Sequence, residues 1–159
     1  MQLTIVAVGK LKEKYLREGV GEYLKRLTPF ARVQILEAAD ERLAEGAPPA
    51  LVQRVKQTEG ERIMALLPPA AYHIALDSRG KLLSSEELAG VFAENSLGGV
   101  SRFAVSIGGS VGLSEQVLNA ADLHLSFGRL TYPHQLMRLM LVEQLYRAFK
   151  INRGEPYHK

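Results

Sequence analysis

Three short segments carry the residue types from which a reaction could be assembled. The first is Ile107-Gly108-Gly109-Ser110-Val111-Gly112. Glycines let a ligand approach the main chain and leave N–H groups open, so the run reads either as a tight turn or as a cofactor loop. No Gly-Lys-Ser/Thr follows, which rules out a phosphate-binding P-loop. The run matches GxGxxG poorly and follows the fourth expected strand, not the first, which disfavours a Rossmann nicotinamide site. The second segment is Ser126-Phe127-Gly128-Arg129-Leu130-Thr131-Tyr132-Pro133-His134-Gln135-Leu136. It reads as a strand end, an irregular loop and a proline-started helix. Loops at strand C-termini are where parallel α/β sheets bind ligands, although an ordinary connection capped by Thr131 would look the same. The third is the end of the chain, Gly154-Glu155-Pro156-Tyr157-His158-Lys159. An aromatic ring and an imidazole can stack on an unpaired base, and a lysine can meet phosphate; a frayed basic tail is the alternative.

Composition narrows the chemistry. The 159 residues contain no cysteine, so disulfides and thiolate metal sites are excluded. None of the four histidines stands with a carboxylate in a metal-binding spacing such as HExxH, so no metal is expected. There is no apolar run of the ~18 residues that a bilayer span needs. The N-terminus lacks a secretory pattern, and a cytoplasmic protein is expected. The net charge of +3 is unevenly spread. Residues 1–35 carry seven Lys/Arg and three Glu, and residues 129–159 carry six Lys/Arg and two Glu. Residues 36–128 carry seven Lys/Arg against twelve acids. Two basic ends that met in space would form one surface suited to a polyanion; scattered solvated charge is the plainer reading.

These segments need a frame. Leu3–Val8 is an apolar strand ending at Gly9, and Lys12–Leu27 has the spacing of an amphipathic helix. Arg32–Glu37 alternates like an edge or half-buried strand, Glu41–Ala50 is a polar loop with Pro48-Pro49, and Leu51–Leu67 is a second helix. A third strand, Tyr72–Leu76, ends in the turn Asp77-Ser78-Arg79-Gly80. Ser84-Ser85-Glu86-Glu87 resembles a capped helix start leading into Leu88–Asn95. Phe103–Ile107 is a fourth strand, Ser114 caps a short helix through Ala120, and Leu123–Phe127 is a fifth strand. Pro133 opens a last helix to about Phe149. The alternation predicts one α/β domain over residues 1–159, with a mostly parallel sheet and helices on both faces. The last helix is apolar nearly all round, with His134, Gln135 and Arg138 on one side and Glu143, Gln144 and Arg147 nearly opposite. A helix without a solvent face is covered on more than one side, which predicts a symmetric homodimer built around it.

Taken in order, Leu76-Asp77-xx-Gly80, Ile107-Gly108-Gly109-xx-Gly112, Leu130-Thr131-x-Pro133-His134-Gln135-Leu136, Glu143-Gln144-x-Tyr146-Arg147-Ala148 and Pro156-Tyr157-His158-Lys159 are far more specific than any one alone. The sequence closely resembles the bacterial family that N3-methylates a pseudouridine in 23S ribosomal RNA, a branch of the SPOUT methyltransferases, over essentially its whole length. The resemblance implies an α/β knot with a C-terminal trefoil, a homodimer, S-adenosyl-L-methionine as cofactor and the assembled ribosome as substrate. Carried over by motif position, it implies cofactor contacts from Leu76, Gly108, Phe127, Gly128, Arg129, Leu130, Thr131 and Tyr132. A similar enzyme acting on transfer RNA, or a non-catalytic ribosome-binding factor that kept the fold, stands as the alternative.

On that reading the target imide nitrogen must lose a weakly acidic proton. His134, Glu143, Tyr157 and His158 could accept or orient it, and Arg138 and Arg147 could steady the developing charge or hold phosphate. Glu143 and Arg147 are four apart and could equally form a helix salt bridge, and Arg138 could pair with a partner subunit. Lys10, Lys12, Lys14, Arg17, Lys25 and Arg26 are expected to make salt-dependent phosphate contacts.

Overall fold

A computed structural model describes residues 1–157. Apolar residues of alternating direction make the first strand, β1 (Gln2–Val8), and set up both layers of the core. Leu3, Ile5 and Ala7 face one helical layer, while Val6 and Val8 face the other. Strands β2 (Arg32–Ala38), β3 (Tyr72–Leu82), β4 (Arg102–Ile107) and β5 (Leu123–Ser126) join β1 in one sheet of order β2-β1-β4-β3-β5. Every pairing in it is parallel. Parallel pairing demands a crossover between strands, and the helices supply it. Helices α1 (Lys14–Leu27), α3 (Ser85–Leu97) and α5 (His134–Asn152) cover one face around Phe92, Phe103 and Leu145. Helices α2 (Pro49–Leu66) and α4 (Glu115–Asn119) cover the other around Ile63, Leu113 and Val117. The expected mostly parallel α/β architecture is therefore the observed one.

Local rules account for most boundaries. Ser84 closes a capping box on α3: its hydroxyl accepts the Glu87 N–H, and the Glu87 carboxylate accepts the Ser84 N–H. Ser114 caps α4 by accepting the Val117 N–H. Several boundaries shift from the sequence expectation, three of them at prolines or a turn. Pro48-Pro49 is not loop: Pro48 is the N-cap of α2 and Pro49 its first residue, where a missing N–H costs nothing. Pro133 likewise sits at the N-cap of α5, and the helix proper runs from His134 to Asn152. The turn expected at residues 77–80 does not end β3. Asp77 does accept the Arg79 N–H, as a turn requires, but pairing with β5 resumes at Lys81 after an irregularity following Leu76.

One consequence matters for function. With all strands parallel, the C-terminal ends of β1, β3, β4 and β5 open along the same edge. The glycine loop, the residue 77–80 irregularity and the residue 127–133 connection emerge there together.

Candidate active site

The three loops enclose a cleft of about 560 Å³. Leu76, Gly108, Phe127, Gly128, Arg129, Leu130, Thr131 and Tyr132 all line it, and so does His134 from the first turn of α5. The structure thus gathers into one place the residues to which the resemblance assigns cofactor contacts. Gly108 has a specific reason to be glycine. A β-carbon there would lie 2.7 Å from the Gly112 carbonyl carbon, so any side chain would force the loop open. A single hydroxyl ties two of the loops. Ser126 Oγ accepts the Gly128 N–H at 3.2 Å and lies within donating distance of the carbonyls of Ser78 and Gly128. Ser126 opens the second of the segments, but a lone serine at a strand end carries no signal of this tie.

His134 is half-buried beside the buried end of β1: its Nε2 would lie 3.9 Å from a β-carbon placed on Gly9. Burial first, and the Arg138 and Lys12 charges after it, lower its pKa below the ordinary imidazole value, against an opposing pull from Asp40. The ring is accordingly neutral at physiological pH and able to accept a proton.

Arg138, read from the sequence as a group that could steady charge, hold phosphate or pair with a partner subunit, is paired within its own chain. It is 1% exposed, and it donates to Glu37 Oε1 at 2.6 Å and to the Gly9 carbonyl at 3.0 Å. Helical spacing places residue 138 one turn from residue 134 but does not say which neighbours it meets; those come from β1 and β2. Its duty is to fasten the first turn of α5 to the ends of two strands, which fixes His134.

Tyr157 lies elsewhere. Its ring packs edge-on against Tyr146 at 4.8 Å and under the Arg147 guanidinium at 4.8 Å. Its hydroxyl donates to Glu143 Oε1 at 3.1 Å and meets the Tyr23 hydroxyl at 3.4 Å. Burial and these hydrogen bonds push the phenol far above its usual range, so it stays protonated and acts as an anchor. Glu143 accepts from Arg147, Gln144 and Tyr157 together, which makes the helix-pair reading of Glu143 and Arg147 the observed one. From residue 134 to 143 the helix rises about 14 Å, so one chain does not bring His134 and Tyr157 to the same point. His158, the other tail candidate, lies outside the described residues.

A second cleft, of about 560 Å³, shares Leu125–Gly128 with the first and runs over Leu82, Leu88, Leu139 and Met140 to Tyr23 and Glu143. Leu82 on its rim is 62% exposed. The basic N-terminal residues divide between distant sites. Lys14 pairs with Glu18, Arg26 pairs with Glu22, and Arg17 holds the carbonyls of Leu11 and Lys12. Lys10 and Lys12 are exposed, make no ion pair among the described residues, and flank His134 through the Lys12 N–H bond to Gln135. Among the described residues no cluster of His, Asp or Glu could hold a metal ion, and no helix is long and apolar enough to cross a membrane.

A family model described as "Predicted SPOUT methyltransferase" matches residues 1–158. The chain belongs to the SPOUT methyltransferase family. The cleft lies at the ends of β3, β4 and β5, the strand ends to which the resemblance assigns cofactor contacts. Curated relatives are similar over the same span. The protein named Ribosomal RNA large subunit methyltransferase H of Carboxydothermus hydrogenoformans is 59% identical over 100% of both chains. Its namesake in Moorella thermoacetica is 55% identical over 100% of this chain and 99% of that protein, and that of Listeria monocytogenes is 55% identical over 100% of both. Among solved structures, a probable methylase family protein from Haemophilus influenzae superposes with a TM-score of 0.52 at 12% identity, over 99% of this chain and 70% of that one. That likeness concerns the fold alone.

Proposed function

We propose that this SPOUT protein transfers the methyl group of S-adenosylmethionine to N3 of a pseudouridine in 23S ribosomal RNA, acting on the assembled ribosome. One conjunction carries the reading. A chain 53–59% identical, over 98–100% of its length, to proteins named for methylation of large-subunit ribosomal RNA folds three loops and His134 onto one cleft.

The residues present fit the cofactor. The cleft has the volume of a small-molecule site, and the glycine loop brings bare main chain to its wall because Gly108 leaves no room for a side chain. Leu76, Gly108 and residues 127–132 would hold the cofactor through main-chain groups. When bound, it supplies a methyl group already activated by its sulfonium. The protein has two tasks left: to align the target nitrogen and to take its proton. N3 gains the methyl and loses its proton to the neutral imidazole of His134, which Arg138 holds in place through Glu37 and Gly9. Lys10 and Lys12, on the loop that follows β1, are placed to meet the phosphates flanking the target base, and Tyr157 fixes the root of the tail.

A second copy of this chain is the proposed cover for the second cleft. No residue of α5 from His134 to Ile151 is fully exposed, yet Leu136, Met137, Leu139 and Met140 are only half-buried. Leu139 and Met140 meet Leu82 in the second cleft and make with it an apolar strip of the kind a two-fold interface buries. A homodimer about α5 would also allow the tail of one copy to serve the cleft of the other, which the separation of His134 and Tyr157 within one copy calls for. The trefoil knot implied by the resemblance, and a cytoplasmic location beside the ribosome, belong to the same proposal.

Calorimetry with S-adenosylmethionine, followed by transfer of labelled methyl to ribosomes, free ribosomal RNA and transfer RNA, tests this reading. Binding followed by label on ribosomes is expected. Label on transfer RNA would move the substrate, and absence of cofactor binding would leave a non-catalytic ribosome-binding factor.

A further inference from the structure

Glu59 stands in the middle of α2 with 2% of its surface exposed. Its Oε1 accepts the Glu41 N–H at 3.1 Å, while its Oε2 is buried without a hydrogen-bond partner. No cation among the described residues pairs with it: Arg62, the nearest on its own helix, is bound to Glu41 and to the Ala39 carbonyl. The unpartnered oxygen faces the glycine loop. A β-carbon on Gly109 would lie 3.2 Å from Oε2 and 3.0 Å from Val8 Cγ1. Gly109 lines the cofactor cleft and Glu59 does not, so one layer of main chain separates the carboxylate from the cleft.

A carboxylate is a costly way to satisfy one N–H. Glutamine has the same shape and would accept the Glu41 N–H without burying a charge. Burial does raise the pKa of Glu59, with Asp40 and Glu41 adding to the rise and the Glu41 N–H and Arg62 opposing it. A cation in the cleft would favour its ionised form. This inference rests on the cofactor reading above, and its key fact is one of charge. S-adenosylmethionine carries a sulfonium that its product, S-adenosylhomocysteine, lacks, so the two differ by one positive charge.

We propose that Glu59 is a specificity-determining counter-charge behind Gly109, which makes the cleft prefer the sulfonium cofactor to its neutral-sulfur product. Glu59 touches neither ligand; it acts through the field that it sets across a wall thinned to glycine. That preference would help product leave after each transfer.

The test is calorimetric: dissociation constants of S-adenosylmethionine and S-adenosylhomocysteine for the full-length wild type and for Glu59→Gln, at one pH near 8. The preference for the sulfonium ligand is expected to fall about tenfold in the variant, which corresponds to the loss of about 1.4 kcal/mol of charge–charge interaction. Thermal unfolding of the variant should be unchanged or raised. A preference unchanged in a folded variant overturns the proposal. So does failure of the variant to fold, because the carboxylate would then be structural. A wild type that binds neither ligand overturns the cofactor reading itself, and is told apart because it needs no variant.

Discussion

His134 is kept below the ordinary imidazole range by burial and by the nearby Arg138 charge, and this decides how the reaction should respond to acid. A base works only when unprotonated. Lowering its pKa extends the working range downward, so turnover on ribosomes should hold as pH falls past 6.5 and decline only below it. In His134→Gln the acid limb should vanish and turnover should drop by about 10²- to 10⁴-fold, the usual contribution of a positioned base. Cofactor affinity should change little. An unaltered rate in this variant would remove His134 from the chemistry. Tyr157 and Glu143 stand on the other side of the comparison. Their hydrogen bonds are used up on each other, on Tyr23 and on Arg147, and the phenol of Tyr157 stays protonated.

At the scale of elements, the ends of β1 and β2 and the start of α5 are joined by one buried guanidinium. Removing a partner from a fully buried ion pair costs about 3–5 kcal/mol, but the Glu37 side chain is 36% exposed and water can serve it once Arg138 is gone. Arg138→Met should therefore cost less, about 1–3 kcal/mol, because the surviving charge is not stranded and the helix packing remains. Chemical denaturation would read this directly. If the first turn of α5 then loosens, turnover should fall further than stability alone explains.

The elements also show what a reader of the sequence can and cannot see. The apolar run Leu3–Val8, the alternation in Arg32–Glu37, the Ser84 box and the succession of strands and helices are local signals, and they led to the right architecture. The glycine loop and the residue 126–136 segment were legible as candidates, and their joining in one cleft follows from parallel strands sharing an edge. The irregularity after Leu76 was not legible, because turn residues look the same whether or not pairing resumes beyond them. The partners of Arg138 and the place of Glu59 behind Gly109 were hidden for another reason. Each depends on contacts between elements far apart in the chain, and neither residue belongs to a motif.

For the whole molecule, the arrangement predicts cooperation between copies. The apolar strip of Leu82, Leu139 and Met140 needs a cover, and the cleft and the tail anchor lie at different levels of α5. Placing a charge in the strip with Met140→Glu should shift the protein toward monomer in sedimentation and abolish methylation, while isolated chains still unfold cooperatively. A variant that stays dimeric would move the interface elsewhere. The basic surface around Lys10 and Lys12 predicts that ribosome binding weakens steeply with salt, as phosphate contacts do.

Everything above converges on the methylation of one pseudouridine in large-subunit ribosomal RNA. Mass spectrometry of that RNA from cells with and without the gene tests it most directly. Loss of a single methyl group from one pseudouridine is expected without the gene, restored by the wild-type gene and not by His134→Gln. An RNA with identical modifications in both strains would contradict it.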